Sequence, residues 1–451
     1  MKALLNRNNI FFCSLHEFLP VEENKFYIVY APLSSTALIA TAKNVDDIVS
    51  VLAGNDVSQE VKDTVKELTC NTEISLLTKQ KGTIADYNNI SLILNNKCNF
   101  SCSYCYSANG RSAEILSSEM LQGALSYFIS RERTDTKKLS ITFIGGGEPM
   151  LSWSLICEAI GYALQRAEKE SFNVRFKVIT NGSLLPEGSL DFIIANKLEM
   201  VVSFDILADI QNLQRKHYAQ VKDNIIQMLE HGVPVSINSV VTSANVLRQT
   251  EMVEEAFNVF PGLDCLSFEP CKEMMPEIIN TLDAGFYDDF IRCFFEARQT
   301  AARHDIMLTS SILRHVDYVV ERFCPGEFGI CPDGSVTACP CVSSPELPYF
   351  KDYIYGNIDL QGHVVIDKAK LKALVRENVT SYSECTGCFI KWNCGGDCTY
   401  LNRTGNSESK RLRCNFMQKF IKHALWNRLK ESYESEYNMS VMEIIKQSEK
   451  E

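Results

Sequence analysis

Three closely spaced cysteines constrain this chain more than any other stretch. They lie in Cys98-Asn99-Phe100-Ser101-Cys102-Ser103-Tyr104-Cys105, with the spacing C-x3-C-x2-C. Directly before them runs Ile90-Ser91-Leu92-Ile93-Leu94, a short apolar run ended by Asn95 and Asn96, which reads as a buried strand. The cysteines therefore stand on a tight loop at the carboxyl end of a strand, where open α/β sheets place their ligands. Three thiolates can take three corners of a cubane 4Fe–4S cluster, leaving the fourth iron without a protein ligand. Such an iron can bind a small molecule and pass an electron into it, which points to catalysis rather than storage. Three close cysteines also suit an incomplete zinc knuckle or a set of core thiols, and the spacing alone leaves both open.

After the next apolar run, residues 139–144, comes Gly145-Gly146-Gly147-Glu148-Pro149. Glycines let a backbone approach a ligand where a side chain would block it. The cysteine loop and this turn together resemble the radical S-adenosylmethionine (SAM) enzymes. The resemblance implies that Cys98, Cys102 and Cys105 hold a cluster whose open iron chelates the amino and carboxylate groups of SAM. It also implies that residues 145–149 line the SAM amino group, and that Tyr104, the aromatic before the third cysteine, packs near adenine.

A chain of 451 residues has room for two or three domains, and a hydrophobic share of 45% supplies a sizeable core. The net charge of -11 argues against nucleic acid as the main partner, because phosphate binding needs a clustered basic surface. Asn6-Arg7-Asn8-Asn9 interrupts the apolar start, so a signal peptide or membrane span is not expected, and a cytoplasmic location is. Of 18 cysteines, Cys13, Cys70, Cys157, Cys265, Cys271, Cys293 and Cys341 are scattered and read mostly as small buried hydrophobes. The others fall in dense motifs, where metal or catalysis is the better expectation in a reducing compartment.

Residues 1–85 form the first region. Residues 25–30 and 36–41 read as two strands, and 44–52 and 58–68 as two helices. This content suits a small winged-helix-like module, which peptide-modifying relatives of the resembled family use to hold the leader of a precursor. A simple cover for one end of a barrel is the plainer alternative. Residues 86–310 alternate strands, at 90–94, 139–144, 174–179, 200–205, 235–241 and 265–269, with helical patterns. Alternation of this kind favours a parallel sheet, and the resemblance implies an α/β fold with a partial (β/α)6 TIM-like barrel. By the same resemblance Asn181, Ser203, Asp205 and Asn238 approach SAM, although a polar group at a strand end is equally a satisfied turn residue.

Residues 311–425 carry Cys324, Cys331, Gly334 and Cys339, then Cys385-x2-Cys388-x5-Cys394-x3-Cys398, then Cys414. This order resembles the SPASM domain, a Cys-rich C-terminal extension of radical SAM enzymes. The resemblance implies two auxiliary 4Fe–4S clusters, one on Cys324, Cys331, Cys339 and Cys398, the other on Cys385, Cys388, Cys394 and Cys414. Cys341 is a rival to Cys331, and paired C-x2-C units are also zinc spacing. From Cys414 onward, Phe416, Phe420, Leu425 and Leu429 read as a helix docking back, so residues 426–451 are a C-terminal helix with a polar tail.

The resemblance implies three clusters and SAM as cofactors, an external electron donor such as flavodoxin or ferredoxin, and a 5′-deoxyadenosyl radical that takes a hydrogen atom from a peptide or protein. Two subfamilies compete. Maturases of ribosomally made peptides form thioether or carbon–carbon crosslinks. Anaerobic sulfatase-maturing enzymes make formylglycine and carry an aspartate after the cysteine where Pro340 stands here, so the first is the expected function. Glu269 and Cys341 are candidates by position for removing a proton. An iron–sulfur electron-transfer protein is the reading from another class, but a pure carrier needs no SAM pocket at residues 145–149.

Overall fold

A computed structural model describes residues 9–70, 83–272, 282–316 and 318–448. The interrupted start at residues 1–8 and the last three residues of the polar tail lie outside the described residues. Near the N-terminus, strands β1 (Phe11–Ser14), β2 (Phe26–Ala31) and β3 (Thr36–Thr41) form an antiparallel sheet in the order β1-β2-β3. The sequence reading had two of these strands. It passed over β1, whose four residues are too short to show an alternation. Helices Ala42–Leu52 and Gln59–Thr69 follow.

Side chains alternate across a strand, and here both faces are buried. Phe12, Val29 and Ala31 pack with Val45, Ile48, Val65 and Leu68 of the two helices. Phe11, Cys13, Phe26, Ile28 and Tyr30 point the other way, into the main core. The N-terminal region is thus one wall of the molecule's principal core.

The second sheet has 11 strands in the order β10-β9-β8-β7-β6-β5-β4-β11-β12-β13-β14. Strands β4 (Asn89–Leu92), β5 (Lys138–Phe143), β6 (Asn173–Thr180), β7 (Glu199–Ser203), β8 (Val235–Val241), β9 (Cys265–Pro270) and β10 (Met307–Thr309) are parallel. The six strands read from the sequence are all present, and the three-residue β10 adds a seventh. Strands β4 and β10 are not neighbours, so the barrel is partial. β11 (Gly329–Ile330) runs parallel beside β4, and β12 (Ser335–Thr337), β13 (Ile354–Ile358) and β14 (Val364–Ile366) continue the sheet antiparallel. The cysteine-rich region thereby grows directly out of the barrel sheet.

One face of the parallel strands is apolar and buried: Leu139, Ile141 and Phe143, Phe176 and Val178, Met200 and Val202, Ile237, and Leu266 and Phe268. The opposite face is polar and half-buried. On it Ser203, Asn238, Ser267 and Thr309 stand side by side across β7, β8, β9 and β10. A parallel sheet usually buries both faces; a polar second face marks the lining of a chamber.

Helix Ser407–Tyr437 closes the fold. Its Phe416 and Phe420 pack on Phe290, Phe294 and Phe295 of helix Ala284–Arg303. Farther along, the Tyr433 hydroxyl accepts a hydrogen bond from the Ile39 amide of β3 at 3.1 Å, and Lys422 pairs with Glu17 at 3.1 Å. The helix starts at Ser407, ahead of Cys414 where the apolar pattern first showed. Among the described residues no helix is long and apolar enough to cross a membrane.

Candidate active site

Cys98, Cys102 and Cys105 lie half-buried on the loop that leaves the carboxyl end of β4. Two networks hold this loop. On one side the Tyr104 hydroxyl donates to the Asp205 carboxylate, with oxygens at 2.8 and 3.0 Å, and accepts from Arg215 Nη1 at 3.0 Å. Gln214 Nε2 and the Val240 amide also donate to Asp205, and the Ser103 amide reaches the Gln214 carbonyl. Burial pushes the Asp205 carboxyl up, and the Arg215 charge and these hydrogen bonds oppose it. Tyr104 is thereby fastened to β7 and to the segment after it by its own hydroxyl.

On the other side is the glycine turn. The Gly147 and Glu148 amides donate to the Asn95 and Lys97 carbonyls at 3.1 and 2.7 Å. A methyl group on Gly147 would stand 1.8 Å from the Lys97 oxygen, and one on Gly146 would stand 2.2 Å from Asn96 Oδ1 and 2.6 Å from Ser343 Oγ. Only glycine fits this approach, which brings the cysteine loop, the turn and the cysteine-rich region to one place. Glu148 is buried, and its carboxylate is held by protein donors. It accepts from Thr180 Oγ1 at 2.6 Å, from the Asn181 amide at 2.7 Å and from the Met150 amide at 3.0 Å. Its carboxyl is pushed up by burial, against those bonds. Pro149 opens the short helical turn that follows.

Donors approach two of the three sulfurs. Arg111 Nη2 lies 3.2 Å from Cys105 Sγ, and the Phe100 amide 3.5 Å and Asn181 Nδ2 3.9 Å from Cys98 Sγ. Burial pushes the Cys102 thiol up to about 11, while the Arg215 charge pulls it down. Thiolates served by N–H donors and guanidinium groups suit an anionic iron–sulfur cluster. Asn238 Oδ1 and Arg215 Nε are buried without a hydrogen-bond partner, as are Asn96 Oδ1 and Ser343 Oγ beside Gly146. Buried orphans of this kind are rare in proteins and mark unmet binding capacity. Arg111 and Arg215 were missed in the sequence, because neither belongs to a spaced motif; only the turn after β7 brings Arg215 to the loop.

The remaining cysteines gather in two groups. Cys339 and Cys341 share a hydrogen bond that pushes Cys339 up and Cys341 down, with Cys324 adding to the rise at Cys339. Cys398 lies within reach of the Cys341 charge, and Cys324 within reach of Cys398. Cys331 stands apart. It is buried at the end of β11, its thiol is pushed up by burial, and the charges near it are Asp333 and Glu114. The second group is Cys385, Cys388, Cys394 and Cys414, with Cys414 near each of the other three. Gly395 and Gly396 turn the chain here with φ of 64° and 93°, values only glycine adopts readily. Among the described residues no three His, Cys, Asp or Glu side chains converge on a point that would hold one metal ion, as a single zinc requires. Glu269 is engaged at the end of β9, accepting from Ser267 Oγ at 3.1 Å and from Ser311 Oγ at 2.6 Å.

Residues 92–256, which carry the loop, the glycine turn, Asp205 and Arg215, match the Radical SAM superfamily. These residues are a radical SAM domain. It is 25% identical over 193 residues to a protein of Methanocaldococcus jannaschii, spanning 41% of this chain and 63% of that one. It is 22% identical to a cysteine-type anaerobic sulfatase-maturating enzyme of Clostridium perfringens over 72% of this chain and 93% of that one. The radical SAM fold is shared with a solved structure of anSMEcpe with bound AdoMet, at a TM-score of 0.62 and 19% identity over 76% of this chain and 97% of the other. A structure of Streptococcus suis SuiB bound to precursor peptide SuiA matches at a TM-score of 0.54 and 12% identity, over 85% of this chain and 94% of the other.

Proposed function

We propose that this radical SAM enzyme matures a ribosomally made precursor peptide, forming a thioether or carbon–carbon crosslink. The observation that carries this reading is the N-terminal sheet with its two helices, built into the core of a barrel whose chamber is polar. Cys98, Cys102 and Cys105 would hold a 4Fe–4S cluster which, with SAM bound, would supply one-electron reductive cleavage and a radical able to take a hydrogen atom from the substrate.

The chain's own part is to bind, orient and exclude. Arg215 Nε is an unpaired donor suited to a carboxylate, and Asn238 Oδ1 an unpaired acceptor suited to a hydroxyl or amine. Ser203, beside Asn238 across β7 and β8, lies on the same wall. Tyr104 and Asp205 serve in this reading as the fastening of the loop. The ligands of the first auxiliary cluster are Cys324, Cys339, Cys341 and Cys398, so Cys341 holds iron instead of moving a proton. The second cluster takes Cys385, Cys388, Cys394 and Cys414. Electrons come from an external donor. The leader of the precursor is held by the N-terminal module. The SuiB match takes in 85% of this chain, against 76% for the sulfatase-maturase match.

Anaerobic incubation of the reduced, reconstituted protein with SAM tests the enzyme reading, with 5′-deoxyadenosine as the expected product. Its absence, with or without peptide, removes that reading. Sulfatase maturation is the second reading, favoured by the long alignment with the Clostridium enzyme and opposed by Pro340. A cysteine-containing sulfatase peptide separates the two: an aldehyde captured by a hydrazide reagent would replace the crosslinking assignment.

A further inference from the structure

One guanidinium ties a cysteine of the cluster loop to the glycine turn. Arg111 Nη2 lies 3.2 Å from Cys105 Sγ, and Nη1 donates to the Gly146 carbonyl at 3.0 Å. The fork of an arginine presents two N–H groups in a fixed plane, so the two contacts set the position of the sulfur against the turn. Ser107 sits at the same place. Its hydroxyl donates to Gly146 O at 2.7 Å and lies 3.3 Å from Cys105 Sγ. A hydroxyl has one hydrogen, and the shorter contact to the carbonyl takes it. When Cys105 is a thiolate, Arg111 is then the side chain that supplies it with a donor.

We infer that Arg111 is a positioning residue that clamps Cys105 against Gly146 and raises the reduction potential of the cluster on this loop. The inference rests on the reading that Cys98, Cys102 and Cys105 hold that cluster. Reduction adds negative charge to the iron–sulfur unit and its thiolates. A charged donor on one of the sulfurs stabilises the reduced form more than the oxidised one, and hydrogen bonds to sulfur are a lever on cluster potential. Removing it therefore moves the potential to more negative values.

The test is a redox titration of the reconstituted full chain followed by electron paramagnetic resonance, using the signal that changes when SAM is added. That signal belongs to the cluster with the open iron, so the auxiliary cysteines do not contribute. In Arg111→Gln the midpoint of this signal is expected at a more negative potential than in the wild type, with iron content and auxiliary signals unchanged. Arg111→Lys keeps one ammonium that reaches the sulfur or the carbonyl but not both, and is expected between the two. An unchanged midpoint in Arg111→Gln overturns the inference. If that variant does not load its cluster, Arg111→Lys decides, and a wild-type midpoint there overturns it. A wild-type protein with no SAM-responsive signal overturns instead the assignment of the cluster to this loop.

Discussion

Gly146 has no room for a methyl group, because Asn96 Oδ1 and Ser343 Oγ occupy that space at 2.2 and 2.6 Å. Gly146→Ala is expected to cost about 1–3 kcal/mol of packing strain and to lower SAM-dependent 5′-deoxyadenosine formation at least about tenfold, the equivalent of about 1.4 kcal/mol. A thermal melt read beside a product assay separates the two effects. The auxiliary cysteines make a second prediction at this scale. Cys341→Ser should lose about four irons per chain, one cubane's worth, and Cys331→Ser should keep them. Equal loss from both would return Cys331 to the ligand set. Cys102→Ala should abolish SAM cleavage and retain the auxiliary iron. Retained cleavage would put the catalytic cluster elsewhere.

At the scale of elements, the segment before β11 ties the N-terminal sheet to the cysteine-rich region. His315 Nδ1 lies 2.7 Å from the Asn393 carbonyl, and Asn393 Nδ2 donates to the His315 carbonyl at 2.9 Å. Asn393 Oδ1 accepts from the Tyr30 hydroxyl of β2 at 2.8 Å, and the His315 ring stacks on Phe323. Burial holds the imidazole below its ordinary value, near about 6.5 in an unfolded chain. The unfolded state therefore binds the proton first. The stability due to neutral His315 is fully present above about pH 6.5 and is lost as pH falls through that value. The melting temperature should fall between pH 7.5 and 5.5, and less steeply in His315→Gln. Identical slopes would remove His315 from the account.

At the scale of the molecule, residues 9–70 do more than add a module. Phe11, Leu15, Phe26, Ile28 and Tyr30 belong to the same core as the barrel, and a buried side chain of this size contributes about 1.5–3 kcal/mol. Deleting residues 1–85 should abolish turnover of a full precursor peptide and also lower the stability of the remaining chain. Peptide-independent SAM cleavage and the melting temperature, measured together, separate lost recognition from lost folding. Unchanged turnover would end the leader-binding reading.

The sequence by itself determined where the three-cysteine loop lies, the six central parallel strands and the glycine turn. Each of these is written in local spacing: cysteines three and four apart, short apolar runs, and consecutive glycines. Only the tertiary structure decided which groups meet. Arg111 and Arg215 carry no periodic signal; Arg111 reaches Cys105 Sγ within its own loop, and Arg215 reaches the Tyr104 hydroxyl because the loop and the chain after β7 fold onto one another. Tyr104 and Asp205 lie far apart in sequence, and neither announces that it bonds the other. Cys331 lies eight residues before Cys339 and Cys341 two after it, and spacing alone did not choose between them. In the structure β11 and β12 form a hairpin with Cys331 buried beside Asp333, while Cys341 lies within hydrogen-bonding reach of Cys339.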